Sequence, residues 1–158
     1  MKSIVIYYSY GGNTRHVAEK VAAEIGADLA EIETVKPYTG SYDHVVEQGQ
    51  KEVNSGFQPK IRQINADLSK YDTVILGTPV WWYTFAPAMN SFLHSVDLSE
   101  KSVYPFATNG GWIGHTFKDF ENACKGATVH AGLNVRFNEE KQITSDNEIQ
   151  KWAKQIVK

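Results

Sequence analysis

Cysteine is nearly absent: a single residue, Cys124, in 158. An internal disulfide is excluded, and the usage fits a reducing compartment. Cys124 itself reads as a small buried hydrophobe on a helix rather than a nucleophile. An excess of one charge is also missing. Lys and Arg total 16 against 18 Asp and Glu, for a net charge of -2, so no nucleic-acid footprint is expected. Long apolar runs are lacking. The first, Ile4–Tyr8, ends after five residues in polar and glycine positions, too short for a signal-peptide core, and nothing approaches a transmembrane span. The expectation is a cytoplasmic protein without membrane contact. His44, His94 and His130 show no metal-ligand spacing, so no metal is expected. No repeat, linker or low-complexity segment is present. Two phosphate-binding motifs are missing as well. No Gly-Lys pair follows the first glycines at P-loop distance, and Arg15 stands where the dinucleotide fingerprint needs its third glycine.

What is present suits one domain spanning 1–158. Hydrophobic residues are 42% and charged residues 22%, ordinary for a globular chain of this length. The most informative stretch is Ser9-Tyr10-Gly11-Gly12-Asn13-Thr14. It follows Ile4–Tyr8, which reads as a buried strand. It precedes Val17, Ala18, Val21, Ala22 and Ile25, one face at helical spacing, with Gly26 placed as the C-cap. A strand, a tight glycine turn and a helix start aim unpaired N–H groups and the positive helix end at one point. A phosphate is the expected occupant. Gly11 and Gly12 allow positive φ and close backbone approach, and Ser9, Asn13 and Thr14 are expected to add side-chain donors. A plain turn with a Ser/Thr cap would use the same residue types.

The remaining elements alternate. A second strand is expected over Ala27–Thr34, then a solvent-facing helix from Tyr42 to Asn54 that ends at Gly56. A buried strand, Thr73–Gly77, is expected to stop at Thr78-Pro79. A helix starting near Ala86-Pro87 carries Ala88, Phe92, Leu93 and Val96. Ser102–Thr108 is a fourth strand, and Phe117, Phe120 and Ala123 mark a helix stopped by Gly126. Ala127–Val135 is a fifth strand. Ile149, Trp152, Ala153 and Ile156 line a last helix started by Ser145-Asp146. This βα alternation implies an α/β doubly wound fold: five parallel strands, order 2-1-3-4-5, with helices on both faces. Ligands bind beyond the carboxyl ends of such strands, at the switch point. The loops after strands one, three and four meet there.

Those three loops have unusual compositions. The loop after strand three, Thr78-Pro79-Val80-Trp81-Trp82-Tyr83-Thr84-Phe85, holds four aromatics. They wall a ligand, fold back over the core, or mark an interaction patch. The loop after strand four, Asn109-Gly110-Gly111-Trp112-Ile113-Gly114, exposes peptide N–H groups to a flat polar edge. Phosphate, aromatic walls and free amides together describe a pocket for a phosphorylated planar heterocycle, which flavin mononucleotide (FMN) fits. The expected cofactor-binding set is Ser9, Tyr10, Gly11, Gly12, Asn13, Thr14, Thr78, Pro79, Val80, Trp81, Trp82, Asn109, Gly110, Gly111 and Trp112. Arg15 and His16 read as surface residues of the first helical turn. His115 reads as a bystander of the glycine loop, and no catalytic residue is assigned.

Over essentially its whole length the chain resembles a short-chain flavodoxin. The family's phosphate loop, Ser-x-Thr/Ser-Gly-x-Thr, is matched by Ser9, Gly12 and Thr14. Gly11 departs from it and one hydroxyl is lost. Gly77-Thr78-Pro79-Val80-Trp81-Trp82 resembles a bacterial flavodoxin-like branch with a Trp pair after strand three. The family's marked acidity is missing. The resemblance implies an FMN-binding electron carrier in which the cofactor supplies the redox chemistry. Trp walls would disfavour the charged reduced flavin and lower its potential. It also implies redox partner proteins of unknown identity and a monomer or weak dimer. The alternative is an NAD(P)H-dependent FMN or quinone reductase on the same fold. A non-redox α/β binding module is the third class.

Overall fold

The computed structural model describes residues 2–158. Its elements run β1 (Ser3–Tyr7), α1 (Asn13–Ile25), β2 (Asp28–Glu31), α2 (Tyr42–Ser55), a 3-10 turn (Leu68–Lys70), β3 (Thr73–Trp81), β4 (Thr84–Phe85), α3 (Pro87–Ser95), β5 (Ser102–Asn109), α4 (Thr116–Ala123), β6 (Thr128–Val129), β7 (Leu133–Asn138), β8 (Lys141–Gln142) and α5 (Asp146–Ile156). The spine is a parallel sheet in the order β2-β1-β3-β5-β7. That is the expected 2-1-3-4-5 order. Strand count differs: β4 and β8 add short antiparallel partners to β3 and β7, and β6 pairs with β5.

Side-chain alternation along the strands divides the core in two. Ile4, Ile6, Val74 and Leu76 face Met89, Phe92 and Phe120 of α3 and α4. Val5, Tyr7, Ile75 and Phe106 face Val17, Val21, Ile149 and Ala153 of α1 and α5. The helices start and stop where sequence chemistry dictates. Gly26 and Gly56 cap α1 and α2 in left-handed conformation. Pro87 opens α3, and the Ser145 hydroxyl accepts from Glu148 N–H at the start of α5. Among the described residues no helix is long and apolar enough to cross a membrane.

Two prolines correct the expected strand limits. β3 does not stop at Thr78-Pro79 but continues to Trp81. Gly77 turns its carbonyl toward β1 to accept from Tyr8 N–H. Pro79, two residues on, faces the same side, where β1 has already ended. Its missing donor therefore removes no ladder bond, and pairing with β5 persists to Pro79–Thr108. The second proline has the opposite effect. Val103 accepts from His130 N–H, so Pro105 also faces the fifth strand and offers it no N–H. The expected continuous strand over Ala127–Val135 is instead broken at His130–Gly132, into β6 and β7. Two further limits shift. β2 covers only Asp28–Glu31, and α2 is not purely solvent-facing, since Val45 and Gly49 are buried.

Candidate functional site

The phosphate turn has the anticipated backbone. Gly11 and Gly12 sit at φ 87 and 100, and Gly12 is the N-cap of α1 with no side-chain cap hydrogen bond. A Cβ at either glycine would meet nothing within 4 Å. Dihedral geometry, not crowding, is what calls for glycine here. First-turn N–H groups lack partners within their own helix. Arg15 N–H is taken by Ser9 Oγ, and those of Asn13 and Thr14, which have no partner among the described hydrogen bonds, are available to an anion. The side chains behave differently from expectation. Thr14 is buried and its hydroxyl pairs with that of Thr108 at 2.7 Å. Asn13 Nδ2 donates to the Glu139 carbonyl at 2.8 Å. Ser9 Oγ accepts from Arg15 N–H at 3.2 Å. Arg15 points away from the turn, its Nη2 held by both oxygens of Glu31 at 2.8 and 2.6 Å. What the turn presents is thus mainly backbone, and its side chains tie it to β5, to the connection between β7 and β8, and through Arg15 to β2.

The aromatic stretch after Gly77 is a β-hairpin rather than a loop. Val80 pairs with Phe85 and Trp81 with Thr84. That leaves Trp82 and Tyr83 as a two-residue turn, both at positive φ, 50 and 73. Two consecutive positive φ values are the pattern of a type I′ turn, which normally uses Asn and Gly. The three rings diverge. Trp81 points inward, with ring centroids 4.9 Å from Tyr38, 6.0 Å from Tyr8 and 5.9 Å from Tyr10. Trp82 is tied to α2 by Nε1–H donating to the Val46 carbonyl at 2.9 Å. Tyr83 is half exposed and lies 5.2 Å from the ring of Trp112.

The glycine loop packs on this hairpin. His115 N–H donates to the Tyr83 carbonyl at 2.8 Å, and a Cβ on Gly114 would overlap that same carbonyl. Asn109 braces the loop, its Oδ1 accepting from Gly111 N–H at 2.9 Å and its Nδ2 donating to Asn134 at 2.6 Å. Gly110, Gly111 and Trp112 remain exposed. All three expected loops therefore meet. The first touches the second through Tyr10–Trp81, the second touches the third through Tyr83–Trp112, and the helix start reaches β5 through Thr14–Thr108. Thr78 and Pro79 serve the scaffold. The Thr78 hydroxyl is buried, donates to the Pro79 carbonyl and accepts from Ala86 N–H at 3.0 Å.

Sequence reasoning missed the contribution of α2. A cavity of about 280 Å³ lies between α2 and the hairpin, lined by Tyr42, Val45, Val46 and Gly49 on one side, Val80, Trp81 and Trp82 on the other, and Tyr10 of the glycine turn. Gly49 is the signal that could have revealed it. In mid-helix, four residues after Val45, it leaves room for the Trp81 ring, which a Cβ there would approach to 3.2 Å. Tyr8 and Tyr38 were also missed as partners of Trp81. Burial raises the pKa of both phenols, and at Tyr38 a hydrogen bond to Glu52 adds to the effect. A third omission is the cluster of Thr84, His115 and Asp119, where Asp119 Oδ2 accepts from the Thr84 hydroxyl and meets His115 Nδ1.

Residues 2–156 match the family described as Flavodoxin. The chain belongs to the flavodoxin family. Among solved structures, this flavodoxin is similar to a candidate flavoprotein of Bacteroides eggerthii DSM 20697, with TM-score 0.85 and 28% identity over 99% of this chain and 98% of the other. It is also similar to a flavoprotein of Lactobacillus acidophilus NCFM in complex with FMN, with TM-score 0.77 and 24% identity over 96% of this chain and 98% of the other. A sequence relative is an uncharacterized NAD(P)H oxidoreductase, YcaK, of Escherichia coli strain K12. It is 21% identical over 87 residues, which are 52% of this flavodoxin and 44% of that protein.

Proposed function

We infer that this flavodoxin binds FMN at the junction of its three loops and carries electrons. The supporting observation is the uncapped start of α1 at Gly11-Gly12, set beside an aromatic hairpin. One supplies unpartnered N–H groups for a phosphate and the other supplies rings for a planar heterocycle. The residues present fit the group: a single anion cradle, a single aromatic wall, and the exposed Gly110-Gly111 backbone. The L. acidophilus protein of the same fold is in complex with FMN, which supports the choice of cofactor. In this reading the backbone of Ser9–Thr14 holds the phosphate, Val80–Trp82 forms one wall, and Asn109–Trp112 faces the polar ring edge. Bound FMN supplies the redox chemistry, and the protein positions and tunes it.

A second reading, an NAD(P)H-dependent reductase, is favoured by one feature. Trp112 is 69% exposed and Tyr83 46%, so the glycine-loop side is open to a second planar molecule. One experiment addresses both. Purified protein is denatured and its flavin identified by chromatography, while native protein is mixed with NADPH under anaerobic conditions. Release of FMN with no bleaching by NADPH supports the carrier. Release of FMN with rapid bleaching supports the reductase. A colourless protein that takes up no added FMN would sink both.

A further inference from the structure

Three tyrosines surround Trp81 where phenylalanine would pack as well without a hydroxyl to satisfy. One of them is connected onward. Tyr38 is 9% exposed and its ring centroid is 4.9 Å from that of Trp81 at an interplanar angle of 76°. Its hydroxyl donates to Glu52 Oε1 at 2.5 Å, and Glu52 Oε2 accepts from Gln48 Nε2 at 2.9 Å. An O–H···O⁻ bond of about 2.5–2.7 Å is of the short, charge-assisted kind. Each end of this chain opens on a separate cavity. Trp81 lines the 280 Å³ space beside the phosphate turn. Tyr38, Gln48 and Glu52 line another, of about 450 Å³, with Val35, Phe57 and Pro59 as its apolar walls.

We propose that Trp81, Tyr38 and Glu52 form a redox relay that drains a one-electron oxidation away from the flavin site. Transfer of one electron from Trp81 to a strong metal-polypyridyl oxidant, Ru(III) going to Ru(II), leaves an indole radical cation. Tyr38 reduces it by giving up one electron. The phenolic proton passes at the same time to Glu52 Oε1, breaking the Tyr38 O–H bond and forming a carboxyl O–H bond. The products are neutral Trp81, a neutral Tyr38 phenoxyl radical and neutral Glu52. Glu52 then exchanges its proton with water in the second cavity. Proton transfer is what makes tyrosine competent here. A phenol that keeps its proton becomes a strongly acidic radical cation on oxidation, and a hydrogen-bonded carboxylate removes that barrier. Tyr8 and Tyr10 also touch Trp81, but among the described side-chain hydrogen bonds neither phenol meets a carboxylate, so Tyr38 is the terminus. The relay rests on the functional reading only in placing a flavin beside Trp81. The internal electron transfer follows from the chain's own side chains.

The test is flash-quench oxidation of the FMN-loaded protein with ruthenium tris-bipyridine as photo-oxidant. The tyrosyl radical is read by transient absorption and by electron paramagnetic resonance of frozen samples. Wild type is expected to give a tyrosyl radical that forms as the tryptophan radical decays. Tyr38→Phe keeps the ring and its packing, so the tryptophan radical should persist and the tyrosyl yield should fall severalfold. Glu52→Gln keeps the side-chain size but removes the base, so radical formation should slow roughly tenfold, equivalent to ~1.4 kcal/mol of barrier. It should also become dependent on buffer base concentration. Thermal melts of both variants are run alongside to establish that each is folded. The same measurement on flavin-free protein should yield the same radical, so failure of FMN binding and failure of the relay are read separately. An unchanged tyrosyl yield in Tyr38→Phe overturns the relay, and an unchanged rate in Glu52→Gln overturns the role of Glu52.

Discussion

Two turns in this protein make the same backbone demand and meet it with opposite residues. Gly11-Gly12 and Trp82-Tyr83 each place two consecutive residues at positive φ. Glycine adopts that conformation freely, whereas a residue with a Cβ is disfavoured by roughly 1–2 kcal/mol. The glycine turn is open, with nothing within 4 Å of a virtual Cβ, and its peptide N–H groups are what it presents. The aromatic turn is held from three directions: two strand pairs, the Trp82–Val46 hydrogen bond, and the His115 N–H donating to the Tyr83 carbonyl. One turn is shaped to expose backbone and the other to hold rings in place. Backbone strain at functional positions persists when the surroundings over-determine it, and the hairpin is determined from three directions.

The largest expected effect comes from removing one of those supports. Gly114 sits at φ 60, and a Cβ there would overlap the Tyr83 carbonyl and Cα. Gly114→Ala should destabilise the protein by roughly 3–4 kcal/mol, combining overpacking with the dihedral penalty. Gly12→Ala incurs the dihedral penalty alone, about 1 kcal/mol. Equilibrium urea unfolding of the two variants reads the difference. Equal losses would mean that the glycine loop yields and that the hairpin is not buttressed by it.

The contrast also explains what the sequence could reveal. The glycine turn was legible because its residues are the ones its conformation prefers, and the helix that follows carries an unbroken apolar stripe from Val17 to Ile25. The hairpin was not. Trp-Tyr is no turn signal, and Thr78-Pro79 reads as a strand end until the register shows Pro79 facing an edge that β1 has vacated. Pro105 hid the break in the fifth strand for the same reason: the side to which a proline presents its missing N–H is a property of pairing, not of local sequence. The 2-1-3-4-5 order was recoverable because alternation of β and α leaves few right-handed windings. The inward wall of the site was not, since it depends on α2 packing its Gly49 against Trp81 across the insertion.

A middle-sized effect separates the roles of backbone and side chain in the glycine turn. Thr14 and Thr108 are both buried and bond to each other at 2.7 Å. Thr14→Val should destabilise flavin-free protein by about 1–3 kcal/mol, because it leaves the Thr108 hydroxyl buried without a partner. Replacing both by Val should recover most of that loss, since two apolar groups of the same shape leave nothing unsatisfied. Thermal melts of the two single variants and the double variant form the cycle. If Thr14→Val leaves stability intact but weakens FMN binding, the hydroxyl belongs to the anion and the cradle is not mainly backbone.

The smallest effect probes the strained turn itself. Tyr83 occupies the second position of the type I′ pattern, where glycine is preferred. Tyr83→Gly relieves roughly 1–2 kcal/mol of dihedral strain. Against this it loosens the unfolded chain by ~0.4–1 kcal/mol and removes the contact with Trp112, worth ~0.5–1.5 kcal/mol. The terms nearly cancel, so the change in unfolding free energy should stay within about 0.5 kcal/mol. Tyr83→Val carries the dihedral penalty of a β-branched residue and loses the ring as well, so it should be destabilised by roughly 1–2 kcal/mol. Urea unfolding of the pair isolates the backbone contribution, because both variants lack the aromatic ring. If the two variants are equally stable, the turn is unstrained and tolerates any side chain. If Tyr83→Gly is the less stable of the two, the freedom that glycine adds to the unfolded chain outweighs the dihedral relief, and the turn does not ask for glycine. If Gly is stable and Val is not, Tyr83 stands at a position whose backbone asks for glycine, and the retained aromatic ring is there for what it faces rather than for the fold.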